Sequence, residues 1–133
     1  MALQFSAAVR NARLDAIETT IGATAVLKIR SGSVPADCAT ADAGTVLATL
    51  TLPADWMAAA SGGSKAKSGT WQDSSADASG TAAHFRIYDS GGTVCGLQGT
   101  VGVGTGDLQV DSTSFTSGQS FTITGFTITD GNA

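Results

Sequence analysis

Residues 84–101 read HFRIYDSGGTVCGLQGTV. Phe85 and Ile87 alternate with His84, Arg86 and Tyr88, the period of two that sends successive side chains to opposite faces of a strand. Asp89-Ser90-Gly91-Gly92 then supplies turn residues, and Cys95, Leu97, Gly99 and Val101 resume the alternation. Two such runs around a short Gly-containing turn spell an antiparallel hairpin.

The same period extends in both directions. Upstream, Ala25, Leu27 and Ile29 oppose Val26, Lys28 and Arg30, and a loop containing Ser31, Gly32, Pro35 and Asp37 leads to Val46, Ala48, Leu50 and Leu52, a strand that ends at Pro53. Asp55 to Ala60 is expected to form one helical turn. Residues 61–81 are polar and small around the single large side chain of Trp71, and read as an exposed loop or hairpin near Thr70 to Gln72. Downstream, Gly102 to Gly106 reads as a turn into Leu108 and Val110, and a long strand spans Gln119 to Thr129. Its apolar parity switches from Phe121 and Ile123 to Phe126 and Ile128, so a β-bulge is expected at Gly125. Six to eight short strands with Gly turns place residues 23–133 in a mainly β fold, an antiparallel β-sandwich or jelly-roll-like domain.

One helix precedes it. Ser6 to Ile21 lacks Gly and Pro, can be capped by Ser6 and meets Gly22, so residues 1–22 read as an N-terminal helical arm. Phe5, Val9, Ala12 and Ala16 share one stripe, and Leu14, Ile17 and Ile21 share a nearly opposite one. Asn11, Asp15 and Glu18 form the acidic edge between them. A helix apolar on two sides wants two neighbours, its own domain and a second chain. Leu14, Ile17 and Ile21 are therefore candidate partner-binding residues, together with Trp56 and Trp71 as aromatic anchors.

Composition narrows the function. Gly, Ala, Ser and Thr supply 71 of 133 residues and Val, Ile, Leu and Phe only 27, which makes a lean core. The net charge of −4 is too small to hold the chain unfolded by self-repulsion. Seven scattered basic residues give no footprint for a phosphate backbone, so direct nucleic-acid binding is not expected. No apolar run approaches the roughly 20 residues of a membrane span, and Met1 to Arg10 does not read as a signal peptide, so synthesis and release in the cytoplasm are expected.

Candidate chemistry is sparse. His84, the one histidine, is expected to face solvent beside Arg86 and Tyr88, without the GxSxG elbow that would support a triad. Asp73 and Asp77 fall in a polar loop with nothing apolar to raise a carboxylate pKa. Asp37 with Asp42, Asp107 with Asp111, and Asp130 do not follow a calcium-loop pattern. Gly99, Gly102, Gly104 and Gly106 join strands instead of opening a helix, so they form a turn and not a phosphate cradle. Cys38 and Cys95 lie 57 positions apart without a CxxC motif, which argues against zinc. They are either two unpaired thiols or a disulfide formed after release from a reducing compartment. No catalytic residue, metal or cofactor is assigned.

The segments VRNARLDAIETTIG (9–22), TLPADWMAAASGGSKAKSGTWQD (51–73), ASGTAAHFRIYDSGGTVCGLQGTVG (78–102) and the terminal FTITGFTITDGNA resemble a family of small structural proteins encoded among the head and tail genes of tailed bacteriophages. The resemblance spans nearly the whole chain and carries no catalytic residue. It implies a non-enzymatic virion protein, foremost a capsid decoration or cement protein that forms homo-oligomers or binds the major capsid protein, with tail or fibre attachment second. A carbohydrate-binding module using Trp71, and an enzyme using His84, are the competing classes.

Overall fold

The computed structural model describes residues 3–131. Helix α1 runs Ala7–Ile21: Ser6 Oγ accepts the Val9 N–H at 3.2 Å, and Gly22, at φ +99°, ends the helix while its own N–H still reaches the Glu18 carbonyl at 2.9 Å. Side-chain capping at one end and a left-handed glycine at the other are the stops the sequence announces.

The strands follow as β1 (Val26–Arg30), β2 (Val46–Thr51), β3 (Ser64–Ala66), β4 (Gln72–Asp73), β5 (Gly80–Thr81), β6 (His84–Tyr88), β7 (Cys95–Gly102), β8 (Leu108–Val110), β9 (Ser114–Phe115) and β10 (Phe121–Thr129). The main sheet has the order β2-β1-β6-β7-β8-β10-β3, with β4 also on β10, while β5 and β9 pair separately. The fold is mainly β, a curled mixed sheet of sandwich-like form, with one helix among the described residues, at the N-terminal side. The β6–β7 hairpin pairs Phe85 with Gly99 and Ile87 with Leu97, and the β10 bulge falls between Ile123 and Gly125, as the parity switch predicts.

The core compensates for its small residues with aromatic rings. Trp56, Trp71, Phe126 and Phe85 form a continuous ladder with centroid spacings of 6.1, 5.7 and 5.6 Å, and Phe115 stacks on Phe121 at 4.6 Å. Tilted and edge contacts of this kind add about 0.5–1.5 kcal/mol each beyond the area they bury. Leu27, Ile29, Leu47, Leu50, Leu108 and Ile123 complete the interior.

Four local expectations are corrected. Residues 55–60 are not helical: Met57 bridges Lys67 in antiparallel fashion and Trp56 points inward, its Nε1 donating to the Gly22 carbonyl at 3.0 Å. The 61–81 stretch is not a free loop, since β3 and β4 pair with β10 and bring Trp71 into the core at 1% exposure. The chain re-enters after Gly102–Gly106 parallel to β7, pairing Val101 with Leu108, so the glycine run closes a loop and not a hairpin. His84 is fully buried, because residues 31–44 fold across the outer face of β6 and its Nδ1 lies 2.8 Å from the Gly32 carbonyl.

Candidate functional site

The acidic edge of α1 is its docking face. Asn11, Asp15 and Glu18 fall at i, i+4 and i+7, on one side of the helix. Their side chains accept the backbone N–H groups of Gly63, Ala60 and Met57 at 2.8, 3.0 and 2.8 Å. Lys65 rises from β3 between the two carboxylates, 2.7 Å from Asp15 Oδ1 and 3.2 Å from Glu18 Oε1, and donates also to the Ala58 carbonyl at 2.9 Å. Burial alone would lower the Lys65 pKa, but the paired carboxylates hold it above its ordinary value. The hydrogen bond from Lys65 and the Ala60 N–H in turn lower Asp15. The arm is thus fastened to the β domain by polar contacts as much as by apolar ones.

This orientation turns Ile17 and Ile21 toward an open trough. A hollow of about 590 Å³ lies between α1 and the end of the β6–β7 hairpin, lined by Ala16, Ile17, Thr20, Ile21, Val94 and Gly96 together with Arg13, Asp89 and Cys95. A second of about 400 Å³ continues over Leu97, Phe126 and Ile128, and a third of about 320 Å³ runs past Leu14 and Asp130. Ile17 lines all three. Val94 is 63% exposed at one wall. Gly96 allows the close approach of helix and strand, since a Cβ there would stand 2.5 Å from Ile21 Cγ1.

The five sequence candidates separate accordingly. Ile17 and Ile21 come together at the partly exposed wall of the trough. Leu14, at 2% exposure, faces inward, and Trp56 and Trp71 are core residues that no partner reaches in the folded chain. Trp71 therefore offers no stacking platform for a sugar. Phe5 is covered by the Arg13 guanidinium, 4.7 Å from its ring centroid, while Val9, Ala12 and Ala16 remain open on the remaining stripe. Lys65, Val94 and Gly96 were not singled out by the sequence; the acidic i, i+4, i+7 edge was the available signal for a buried cation.

The outer face of β1 and β6 holds a second polar constellation. Asp42 accepts from Arg86 Nη1 at 2.8 Å, Arg30 Nη2 at 2.9 Å and the Tyr88 hydroxyl at 2.7 Å. Burial would raise the Asp42 carboxyl, but the Tyr88 hydroxyl and the two guanidiniums together hold it below its usual value. Arg86 also donates to the Asp37 and Thr40 carbonyls at 3.0 and 2.9 Å, and to Gln98 Oε1 at 3.0 Å. These groups are consumed in holding loop 31–44 against the sheet. Four further carboxylates hold other parts of the chain: Asp107 accepts from Thr100, Asp111 from the Thr122 N–H, Asp77 from Thr49, and Asp130 pairs with Arg13 at 2.8 Å. Among the described residues no three His, Cys, Asp or Glu side chains converge as a metal site, and no helix is long and apolar enough to cross a membrane.

No protein family, curated protein or solved structure matches this chain.

Proposed function

We propose that the chain is a non-enzymatic structural protein of a tailed-bacteriophage virion, one that decorates the head by docking on the major capsid protein lattice, with neighbouring copies in contact. The observation that carries this reading is the open aliphatic trough centred on Ile17, a surface suited to receive a side chain or loop of another protein. The segments that resemble small phage head and tail proteins support it. So does the employment of the polar side chains best equipped for chemistry, His84, Arg86, Tyr88 and Asp42, in holding the chain's own loop.

Apolar burial at roughly 25 cal/mol per Å² would supply the affinity, less the cost of association. Binding to the folded form alone then stabilises it by mass action. The test is co-sedimentation of purified protein with isolated heads of the encoding phage, comparing wild type with an Ile17→Asp, Val94→Asp variant whose melting curve shows it folded. Binding by wild type and its loss in the variant is the expected result. Equal binding by both would reject the trough, and binding to tails but not heads would favour the tail assignment.

A further inference from the structure

We propose that Cys38 and Cys95 are a dithiol site that closes to an intramolecular disulfide by exchange with a small oxidised disulfide, clamping loop 31–44 onto the β6–β7 hairpin. The inference does not rest on the proposed occupant of the trough, although Cys95 lies on the trough's wall.

The loop is gripped on both sides of Cys38. Gln98 Nε2 donates to the Pro35 carbonyl at 2.7 Å, and Arg86 Nη2 donates to the carbonyls of Asp37 and Thr40 at 3.0 and 2.9 Å. Gln98 and Arg86 are register partners on β7 and β6, and Cys95 is the register partner of Tyr88 on the same two strands. Cys38 is thereby brought beside Cys95, close enough that it adds to burial in raising the Cys95 thiol, whose Sγ donates to the Leu97 carbonyl at 3.5 Å. Thiols this close need little backbone movement to reach the Cα separation of about 4.4–6.8 Å that a disulfide requires. Both are free and only partly buried, so a small reagent can reach them.

The chemistry runs in two exchanges. Burial and the neighbouring Cys38 push the Cys95 thiol up to about 12, and in the proposed exchange Cys38 attacks first. The Cys38 thiolate displaces one thiolate from the reagent disulfide, which takes up the proton Cys38 lost, and leaves a mixed disulfide. Cys95 then attacks the Cys38 sulfur, a bond forms between the two protein sulfurs, and the second reagent thiolate departs with the Cys95 proton. Two protein thiols are oxidised and one reagent disulfide is reduced to two thiols.

The bond would tie together residues 57 positions apart, a long loop whose closure restricts the unfolded chain. The experiment incubates the native, reduced protein with oxidised glutathione and reads intact mass and Tm. The expected product is a monomer lighter by about 2 Da, with Tm raised by about 10 °C and restored by dithiothreitol. Cys38→Ser and Cys95→Ser, treated alike, should keep the Tm of the reduced protein. Stable glutathione adducts without closure, disulfide-linked dimers, or no reaction in the folded state would each overturn the proposal.

Discussion

Lys65 Nζ lies 2.7 Å from Asp15 Oδ1, an ion pair that joins the middle of β3 to the middle of the helix across 50 residues of chain. The Lys65 side chain is 2% exposed, whereas Asp15 keeps 47% of its surface in water. Losing the cation therefore leaves Glu18, at 18% exposure, as the more poorly solvated of the two carboxylates.

Lys65→Ala should destabilise the protein by about 2 kcal/mol, below the range for breaking a fully buried pair because solvent screens Asp15. Lys65→Met, which restores the aliphatic stem, should recover only part of this. Urea unfolding of the two variants beside wild type makes the comparison; wild-type stability in Lys65→Ala would mean the helix is held without the pair.

Trp71→Ala removes one of the two inner rings of the four-ring aromatic ladder and should cost about 3–5 kcal/mol. Tryptophan emission of the wild type should not respond to added oligosaccharides, since the indole has no exposed face. A saturable, sugar-dependent quench would restore the carbohydrate reading.

Asp42 makes the loop 31–44 closure acid-sensitive. Its folded pKa is depressed, so its contribution is fully present above the unfolded value of about 3.8 and is lost as pH falls through the lower folded value. Asp42→Asn should be less stable than wild type at pH 7, and the gap should shrink as pH drops below about 4. A gap that stays constant down to pH 2 would contradict the role given to this carboxylate.

Gly44 adopts φ +73°, and a Cβ there would collide with the Ser31 carbonyl oxygen. Gly44→Ala should lower Tm and raise hydrogen exchange at Ser31, whose N–H donates to the Thr45 carbonyl at 3.1 Å, and at Thr45, whose N–H donates to Ser31 Oγ at 3.0 Å. Exchange rates equal to wild type would show that the loop closes without that conformation.

What was legible in the sequence is what is local. The cap at Ser6, the stop at Gly22, the β6–β7 hairpin and the bulge near Gly125 each depend on residues within a few positions of one another. His84 and Trp71 were misplaced because the segments that cover them, residues 31–44 and β10, make their contacts from distant parts of the chain, Gly32 being 52 positions from His84. A bulge opposite Arg30 likewise let both Leu47 and Ala48 turn inward, which simple alternation in β2 does not foresee. Of the site, Ile17 and Ile21 were found because a helical stripe is a local pattern. Val94 and Gly96 were not, since their role arises only when the hairpin end meets the helix.

The proposal that this chain is a virion protein is tested most directly by immunogold electron microscopy of purified phage particles, with antibody against this chain. The account predicts label distributed over the head. Label confined to the tail, or intact particles with none, would contradict it.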